Sequence, residues 1–407
     1  MKCRHCGNEL KHVFCDLQTC PPSNAMVKPE LINYPETYFP LKVFVCEKCW
    51  LVQIDEIEKA SEIFNNEYTY FSSYSTTWLK HAQNYVDYMT ERFGFNQNSL
   101  VVEIASNDGY LLQYFKAKKI PVIGVEPTAN TAKIAIEKGI ENIVDFFGSN
   151  LAKQKLASKA DLILGNNVLA HVPDINDFVK GVKIALKPNG VNTFEFPHLL
   201  QLIEHKQFDT IYHEHFSYLS LTALTSVFNQ QGLEIFDVQE LPTHGGSLRI
   251  FTKHIEDHTK KIEPAVATIL EKETKAGLNK LDYYKNFQLK VDKIKYDFID
   301  FLLQQKKSGK KIIGYGAAAK GNTLLNYCGI KGNDLIKFVV DASPYKQNKL
   351  LPGSRIPVVA IEEIEKYKPD FVIIFPWNLK NEISQQLSFI KNWNAEFVIA
   401  IPELQIF

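Results

Sequence analysis

The chain has no net charge and no long apolar run. Forty-six lysines and arginines balance 46 aspartates and glutamates over 407 residues, so nothing global draws it to nucleic acid or to an anionic membrane. A local basic groove stays open. No apolar stretch approaches the roughly 20 residues that cross a bilayer, and the start, Met1-Lys2-Cys3-Arg4-His5-Cys6, lacks the apolar core of a signal peptide. A cytoplasmic protein with neither nucleic-acid nor membrane partners is expected; oligomeric state is not readable. HExxH is absent, which excludes a zinc-protease site. Beyond residue 50 cysteine occurs once, at Cys328. The length suggests two or three domains, and 45% hydrophobic with 23% charged residues is a globular composition.

The other six cysteines fall in the first 50 residues, and Cys3, Cys6, Cys46 and Cys49 form two CxxC pairs. A reducing cytosol disfavours disulfides. Two CxxC knuckles offer four thiolates in tetrahedral array, the pattern of a structural zinc site with no open position for chemistry. The alternative, a pair of redox dithiols, would open a thioredoxin-like helix that this segment does not resemble. Cys15 and Cys20 lack knuckle spacing and read as bystanders.

A different absence marks Val101-Val102-Glu103-Ile104-Ala105-Ser106-Asn107-Asp108-Gly109-Tyr110. A dinucleotide loop uses three glycines so that backbone can approach a pyrophosphate, whereas this turn has one glycine among polar and acidic side chains. It suits a cationic or zwitterionic ligand. S-adenosylmethionine fits, with Glu103 facing its ammonium and sulfonium end and Glu126, at the end of the next apolar run, accepting the ribose hydroxyls. The plainer reading is a parallel-sheet turn whose Asp108 caps a helix.

Residues 56 to 92 read as helical with an aromatic cluster, Tyr68 to Tyr74, of the density that usually makes core. Strands at Val101 to Ala105, Val122 to Glu126, Leu162 to Asn166 and Val191 to Phe196 then alternate with helices, the third helix bounded by Pro188-Asn189-Gly190, as a parallel α/β domain. Glu263 to Gln305 is a long amphipathic helix or pair. The α/β pattern resumes at Lys311, with strands near Phe338 to Asp341, Val372 to Phe375 and Val398 to Ile401. The second loop, Gly314-Tyr315-Gly316-Ala317-Ala318-Ala319-Lys320-Gly321-Asn322, has no acid. Its bare amides suit a diphosphate, with Lys320 adding charge and Asp341 suited to a ribose or base edge; a tight turn with no ligand explains it equally.

Tyr212-His213-Glu214-His215 is the densest run of acids and bases, with what proton abstraction beside a carbonyl requires. Histidines held in a structural network are the alternative. Asn166-Asn167-Val168-Leu169-Ala170-His171 ends a strand on the cofactor side, His198 follows another, and His244-Gly245-Gly246-Ser247-Leu248-Arg249 joins a glycine turn to a base and a cation suited to a sugar or phosphate.

In this order the two CxxC pairs, the Glu103 to Gly109 turn, Asn167 to His171, Tyr212 to His215, His244 to Ser247 and the Gly314 loop resemble the sugar C-methyltransferases that act on nucleotide-linked 4-keto-deoxyhexoses. The resemblance covers essentially the whole chain; Cys15 and Cys20 depart from it. It implies an α/β protein with a zinc-binding domain (1–60), a class I methyltransferase domain holding S-adenosylmethionine (61–255), and a helical connector with a Rossmann-like nucleotide-sugar domain (256–407). It further implies His215 as the base at carbon 3, with Tyr212, Glu214 and His171 around the enolate, and a tyrosine such as Tyr70 reaching the site. The expected cofactor set is Tyr70, Glu103, Ala105, Ser106, Asn107, Asp108, Gly109, Tyr110, Glu126, Pro127, Asn166 and Asn167. The expected substrate set is His198, His244, Gly245, Gly246, Ser247, Arg249, Gly316, Lys320, Asn322 and Asp341, with thymidine diphosphate the usual carrier.

Two rivals remain. A nicotinamide-dependent sugar oxidoreductase would use the Gly314 loop, which lacks tight three-glycine spacing and a catalytic tyrosine-lysine pair. A zinc-ribbon nucleic-acid-binding protein with a methyltransferase-like scaffold is opposed by the balanced charge and the Tyr212 to His215 cluster.

Overall fold

Three sheets organise the chain in a computed structural model that describes residues 1–57, 59–64 and 70–407. The first contains β1 (His12–Cys20), β2 (Phe39–Val45) and β3 (Val52–Ile54), all antiparallel. Its fourth strand comes from far along the chain: Ser217–Tyr218 pairs with β3, Tyr218 opposite Val52 and Ser217 opposite Gln53. The segment just after Tyr212 to His215 is therefore part of the N-terminal sheet.

The second sheet is built from β4 (Val101–Ile104), β5 (Val122–Val125), β6 (Glu141–Ile143), β7 (Ala160–Asn166), β8 (Leu186–Pro197), β10 (Leu233–Leu241) and β11 (Ser247–His254), Ser217–Tyr218 being β9. The order is β10-β11-β8-β7-β4-β5-β6. β4 is buried along its length and β7 nearly so, as strands covered by helices on both faces must be. The expectation of a purely parallel sheet is corrected at one edge: β11 runs antiparallel to β8 and forms a hairpin-like pair with β10. Pro188 to Gly190 follows closely on the end of the Ile175–Ala185 helix and lies inside β8, the ladder absorbing it through a register shift near Ala160. Order reverses between β4 and β7, so the crevice at their carboxyl ends is where a doubly wound sheet takes a ligand.

The third sheet runs β14-β13-β12-β15-β16-β17, with β12 (Ile312–Tyr315), β13 (Val339–Val340), β14 (Val358–Val359), β15 (Phe371–Ile374), β16 (Glu396–Ile399) and β17 (Gln405–Ile406). All are parallel except β17. Its reversal falls between β12 and β15. The connector forms helices Pro264–Ala276, Leu281–Tyr284 and Phe287–Lys307.

The helix expected over 56–92 is shorter. Helices span Ala60–Ile63 and Thr76–Phe93; the second starts where Ser75 Oγ accepts from the Trp78 amide and stops at Gly94 in the left-handed region. Of the aromatic cluster, Tyr68 lies outside the described residues, Phe71 is buried, and Tyr70 and Tyr74 are exposed rather than core. One apolar cluster joins the first and third sheets through the segment after β8, bringing Phe14, Cys15, Cys20 and Val43 together with Phe208, Ile211 and Phe216 and with Phe298, Leu324 and Ile373. Phe14 stacks on Phe287 at 4.5 Å; each such buried side chain contributes about 2 kcal/mol.

Candidate functional site

The two knuckles are built alike. The Gly7 amide donates to the Cys3 carbonyl and the Trp50 amide to the Cys46 carbonyl, both at 2.9 Å, with Gly7 (φ 71°) and Trp50 (φ 62°) in the left-handed region. The Cys3 and Cys49 sulfurs lie 3.5 Å apart and those of Cys6 and Cys46 3.6 Å, and all four lie within 4.8 Å of one another. Zn–S bonds of about 2.3 Å in a tetrahedron require S–S edges of about 3.8 Å, so the residues fit zinc. The Gln53 amide donates to Cys3 Sγ at 3.2 Å, the outer contact that orients a metal ligand. Cys15 and Cys20 are buried in the apolar cluster; burial pushes the Cys20 thiol up to about 12. They pack and do not ligate.

At the first crevice, Ala105 (φ 56°), Asn107 (φ 50°) and Gly109 (φ 75°) turn the chain sharply after β4. Two of the three are not glycine, and such strain is stored where a site needs it. Glu103 is fully buried; the Tyr110 hydroxyl and the Leu112 amide approach its carboxylate, and among the described residues neither oxygen has a well-formed hydrogen bond. Burial, with Asp108 and Glu126 adding to it, drives its pKa well above the usual carboxylate range. Asp108 does not cap a helix: its Oδ2 accepts from the Ser73 amide at 3.3 Å, and its buried Oδ1 has no partner among the described residues. Orphaned buried carboxylate oxygens are what a cationic ligand satisfies, so the turn fits the ammonium and sulfonium of S-adenosylmethionine. Glu126 accepts from the Asn107 amide and from Thr128, leaving further lone pairs for a ribose. Asn107 also clamps the 70–74 segment, accepting from the Ser72 amide and donating to the Tyr70 carbonyl. Asn166 donates to Tyr110 Oη, and buried Ser106 accepts from Asn142 Nδ2 at 3.0 Å.

The acid-base run lies beside this crevice. Thr210 and His215 are joined by a 2.8 Å bond from the ring Nδ1 to the carbonyl, so Nδ1 carries the proton and Nε2 is the free base. Tyr212 Oη donates to that Nε2 at 2.8 Å. His171 stands edge-on to His215 with ring centres 4.6 Å apart. Burial, then the neighbouring His171, pushes His215 well below its ordinary value, and burial brings His171 to about 4. Both rings are neutral at pH 7. Glu214 accepts from Asn24, of the loop after β1, at 2.6 Å, so the N-terminal segment reaches the site.

Tyr212, His171, His244 and Lys320 are each half-buried, and Tyr70 is 48% exposed. Side chains of that kind line a cleft. His244 (φ 55°) accepts from Asn167 Nδ2 at 2.9 Å and is held at about 4 by burial and by Lys320. Trp78 stacks on His81 and Tyr110 and meets His244 edge-on. Lys320 and Trp377 come from the reversal point of the third sheet, so the carboxyl edges of the two α/β sheets face each other here. Asn24, Trp78, His81, Asp209 and Trp377 were not legible as site residues: no motif contains them, and only the fold brings them in.

Other expected residues have other occupations. His198 is buried and donates to Glu273 at 2.7 Å, a carboxylate also bonded to Leu221 and Thr222; it braces β8 against the connector. The Arg249 guanidinium donates to buried Glu195 at 2.6 Å, and Glu195 also takes His81 and Thr243. Although burial alone would raise it, His81 and Arg249 hold Glu195 at about 2. Ser247 bonds the Thr243 carbonyl, and Gly246 packs on Gln201. Asn322 donates to the Ser23 carbonyl, and Asp341 accepts from the Ala317 and Ser343 amides. The glycines of the second loop answer to packing: a β-carbon on Gly316 would lie 2.6 Å from Pro376 and one on Gly321 2.9 Å from Phe375. Lys320 of that loop carries its ammonium to Trp377 and Asn378.

Among the described residues no helix is long and apolar enough to cross a membrane. Residues 3–64 match the family described as "Putative zinc binding domain", residues 78–238 a methyltransferase domain, and residues 242–402 a C-methyltransferase C-terminal domain. The C-methyltransferase NovU of Streptomyces niveus is 34% identical over 410 residues, covering 100% of this chain and 96% of that protein. Among solved structures, PH0226 protein from Pyrococcus horikoshii OT3 is 14% identical over 46% of this chain and 95% of its own (TM-score 0.39). An S-adenosylmethionine-dependent methyltransferase from Clostridium acetobutylicum ATCC 824 is 11% identical over 43% and 92% (TM-score 0.35). With full-length similarity to NovU and all three family matches in order, the chain belongs to the C-methyltransferase family that its motifs resemble.

Proposed function

We propose that the protein methylates carbon 3 of a nucleotide-linked 4-keto-deoxyhexose, with thymidine diphosphate as carrier, in cytoplasmic deoxysugar biosynthesis. The observation that carries this reading is the Tyr212–His215 pair, a neutral imidazole primed at Nε2 with His171 edge-on to it and the charge of Lys320 acting on it. S-adenosylmethionine, when bound, supplies an electrophilic methyl group. The chain supplies the rest. The carbon 3 proton leaves to the pair and ends on His215 Nε2, whose positive charge the Thr210 carbonyl supports through Nδ1. The C–H electrons move onto the 4-keto oxygen as an enolate, for which Tyr212, His171 and Lys320 are the available donors. Those electrons then form the new C–C bond as the sulfonium sulfur departs with its own pair.

Two nucleoside-binding edges facing one cleft turn this transfer into an effectively intramolecular step. Incubation with labelled S-adenosylmethionine and a panel of nucleotide 4-keto sugars should give a product heavier by one methyl. Without the cofactor, deuterium should still enter carbon 3 from solvent, and His215→Ala should abolish that exchange. Exchange at the wild-type rate in His215→Ala would reassign the base. Tyr212→Phe separates the routes: direct abstraction by Nε2 survives it, whereas passage through the phenol does not.

A further inference from the structure

Lys320, an expected substrate residue of the second loop, is held in an unusual way. Its ammonium lies 4.6 Å from the Trp377 ring centre and donates to Asn378 Oδ1 at 3.3 Å. Among the described residues it has no carboxylate within ion-pair distance. Asp209, the carboxylate that feels its charge, is turned to the Trp377 indole N–H, which donates to Oδ2 at 2.8 Å. The indole is fixed from another side too. A β-carbon on Gly245 would lie 2.4 Å from Trp377, and the Gly245 carbonyl accepts from Gln207 at 2.7 Å. One ring thus touches the His244 turn, the segment leading to Tyr212, and the lysine.

A carboxylate could hold Lys320 as firmly, but it would cancel the charge; an aromatic face attracts an ammonium and leaves the net charge in place. We propose that Trp377 is a positioning residue that holds the Lys320 ammonium over the cleft in un-neutralised form, for an anionic oxygen of the acceptor. That oxygen belongs either to a diphosphate or to the enolate. The proposal rests on the nucleotide-sugar reading for the identity of the acceptor, but not for the geometry of the lysine.

Two measurements test it separately. In the ¹³C spectrum of reductively methylated protein, with Lys320 assigned through Lys320→Arg, the Lys320 signal should be shifted by the Trp377 ring current and should move on addition of inorganic pyrophosphate. Trp377→Phe should keep most of the ring-current shift and Trp377→Leu should abolish it; an unchanged signal in Trp377→Leu overturns the proposal even if no sugar is ever methylated. In turnover, kcat/KM should fall about tenfold in Trp377→Leu, recover much of that in Trp377→Phe, and fall at least as far in Trp377→Glu, which holds the ammonium but neutralises it. A rise in KM alone assigns the oxygen to the diphosphate, and a fall in kcat alone to the enolate. Wild-type kinetics in Trp377→Leu or in Trp377→Glu overturns it.

Discussion

Cleft histidines that stay neutral should make the fold sensitive to mild acid. Burial brings His171 and His244 from an ordinary 6.5 to about 4. Between those values the unfolded chain holds the proton and the native chain does not, so stability falls as pH drops from 6.5 toward 4 and is fully present above 6.5. Each histidine contributes a slope of about 1.4 kcal/mol per pH unit. From about pH 6.5 to pH 5 that is about 2 kcal/mol apiece, reduced to about 1 kcal/mol where cleft water screens the charge. His171→Asn and His244→Asn remove the titration, and asparagine tolerates the left-handed backbone at 244. Urea unfolding at about pH 7 and about pH 5 should show each variant losing about 1 to 2 kcal/mol less than the wild type between the two conditions. Equal losses in wild type and both variants would refute the assignment of these rings as buried neutral bases.

Glu103→Gln should weaken binding of S-adenosylmethionine about 10- to 100-fold, the loss of a charge-assisted contact. The unliganded protein should melt no lower, because burial already disfavours the charge that the substitution removes; calorimetry and a thermal melt check both. Chelating zinc, or replacing Cys46 with Ser, should lower the melting temperature by about 10 °C or more and abolish methylation, with metal content followed by mass spectrometry. Gly245→Ala meets both a 2.4 Å approach to Trp377 and a φ of 87°, and should cost about 1 to 3 kcal/mol of stability in denaturant titration.

Sequence spacing is enough for what depends on near neighbours. The CxxC pairs reveal the metal site because two sulfurs three residues apart share one turn, and the Glu103 turn is legible because strand, turn and helix are contiguous. It fails where the partner lies far along the chain. His198 and Arg249 look like ligand residues until Glu273 and Glu195, 75 and 54 residues away, are seen to occupy them. Trp78 carries no motif, yet it lies between His81, Tyr110 and His244. The glycines at 314 to 321 read as a phosphate cradle because sequence cannot show Phe375 and Pro376 pressing on them. The tyrosines at 70 and 74 escape the rule that aromatics make core: the segment that carries them is held by Asn107 at the Glu103 turn and leaves both rings exposed.

A zinc ion with four sulfur ligands and no open position does no chemistry, so its place in the protein must be explained by what it holds. Cys46 and Cys49 lie between β2 and β3, β3 pairs with Ser217–Tyr218, and that strand continues directly from Tyr212 to His215. From the opposite side, Thr323 Oγ1 donates to the Ile211 carbonyl, tying the same run to the third sheet. Asn24, also N-terminal, bonds Glu214. The acid-base run is thus anchored at both ends by segments outside the methyltransferase sheet, whereas the Glu103 turn is anchored within it. Under the proposed function, cofactor recognition would rest on the middle sheet, and proton transfer would need the knuckle-bearing N-terminal segment and the C-terminal segment to meet it.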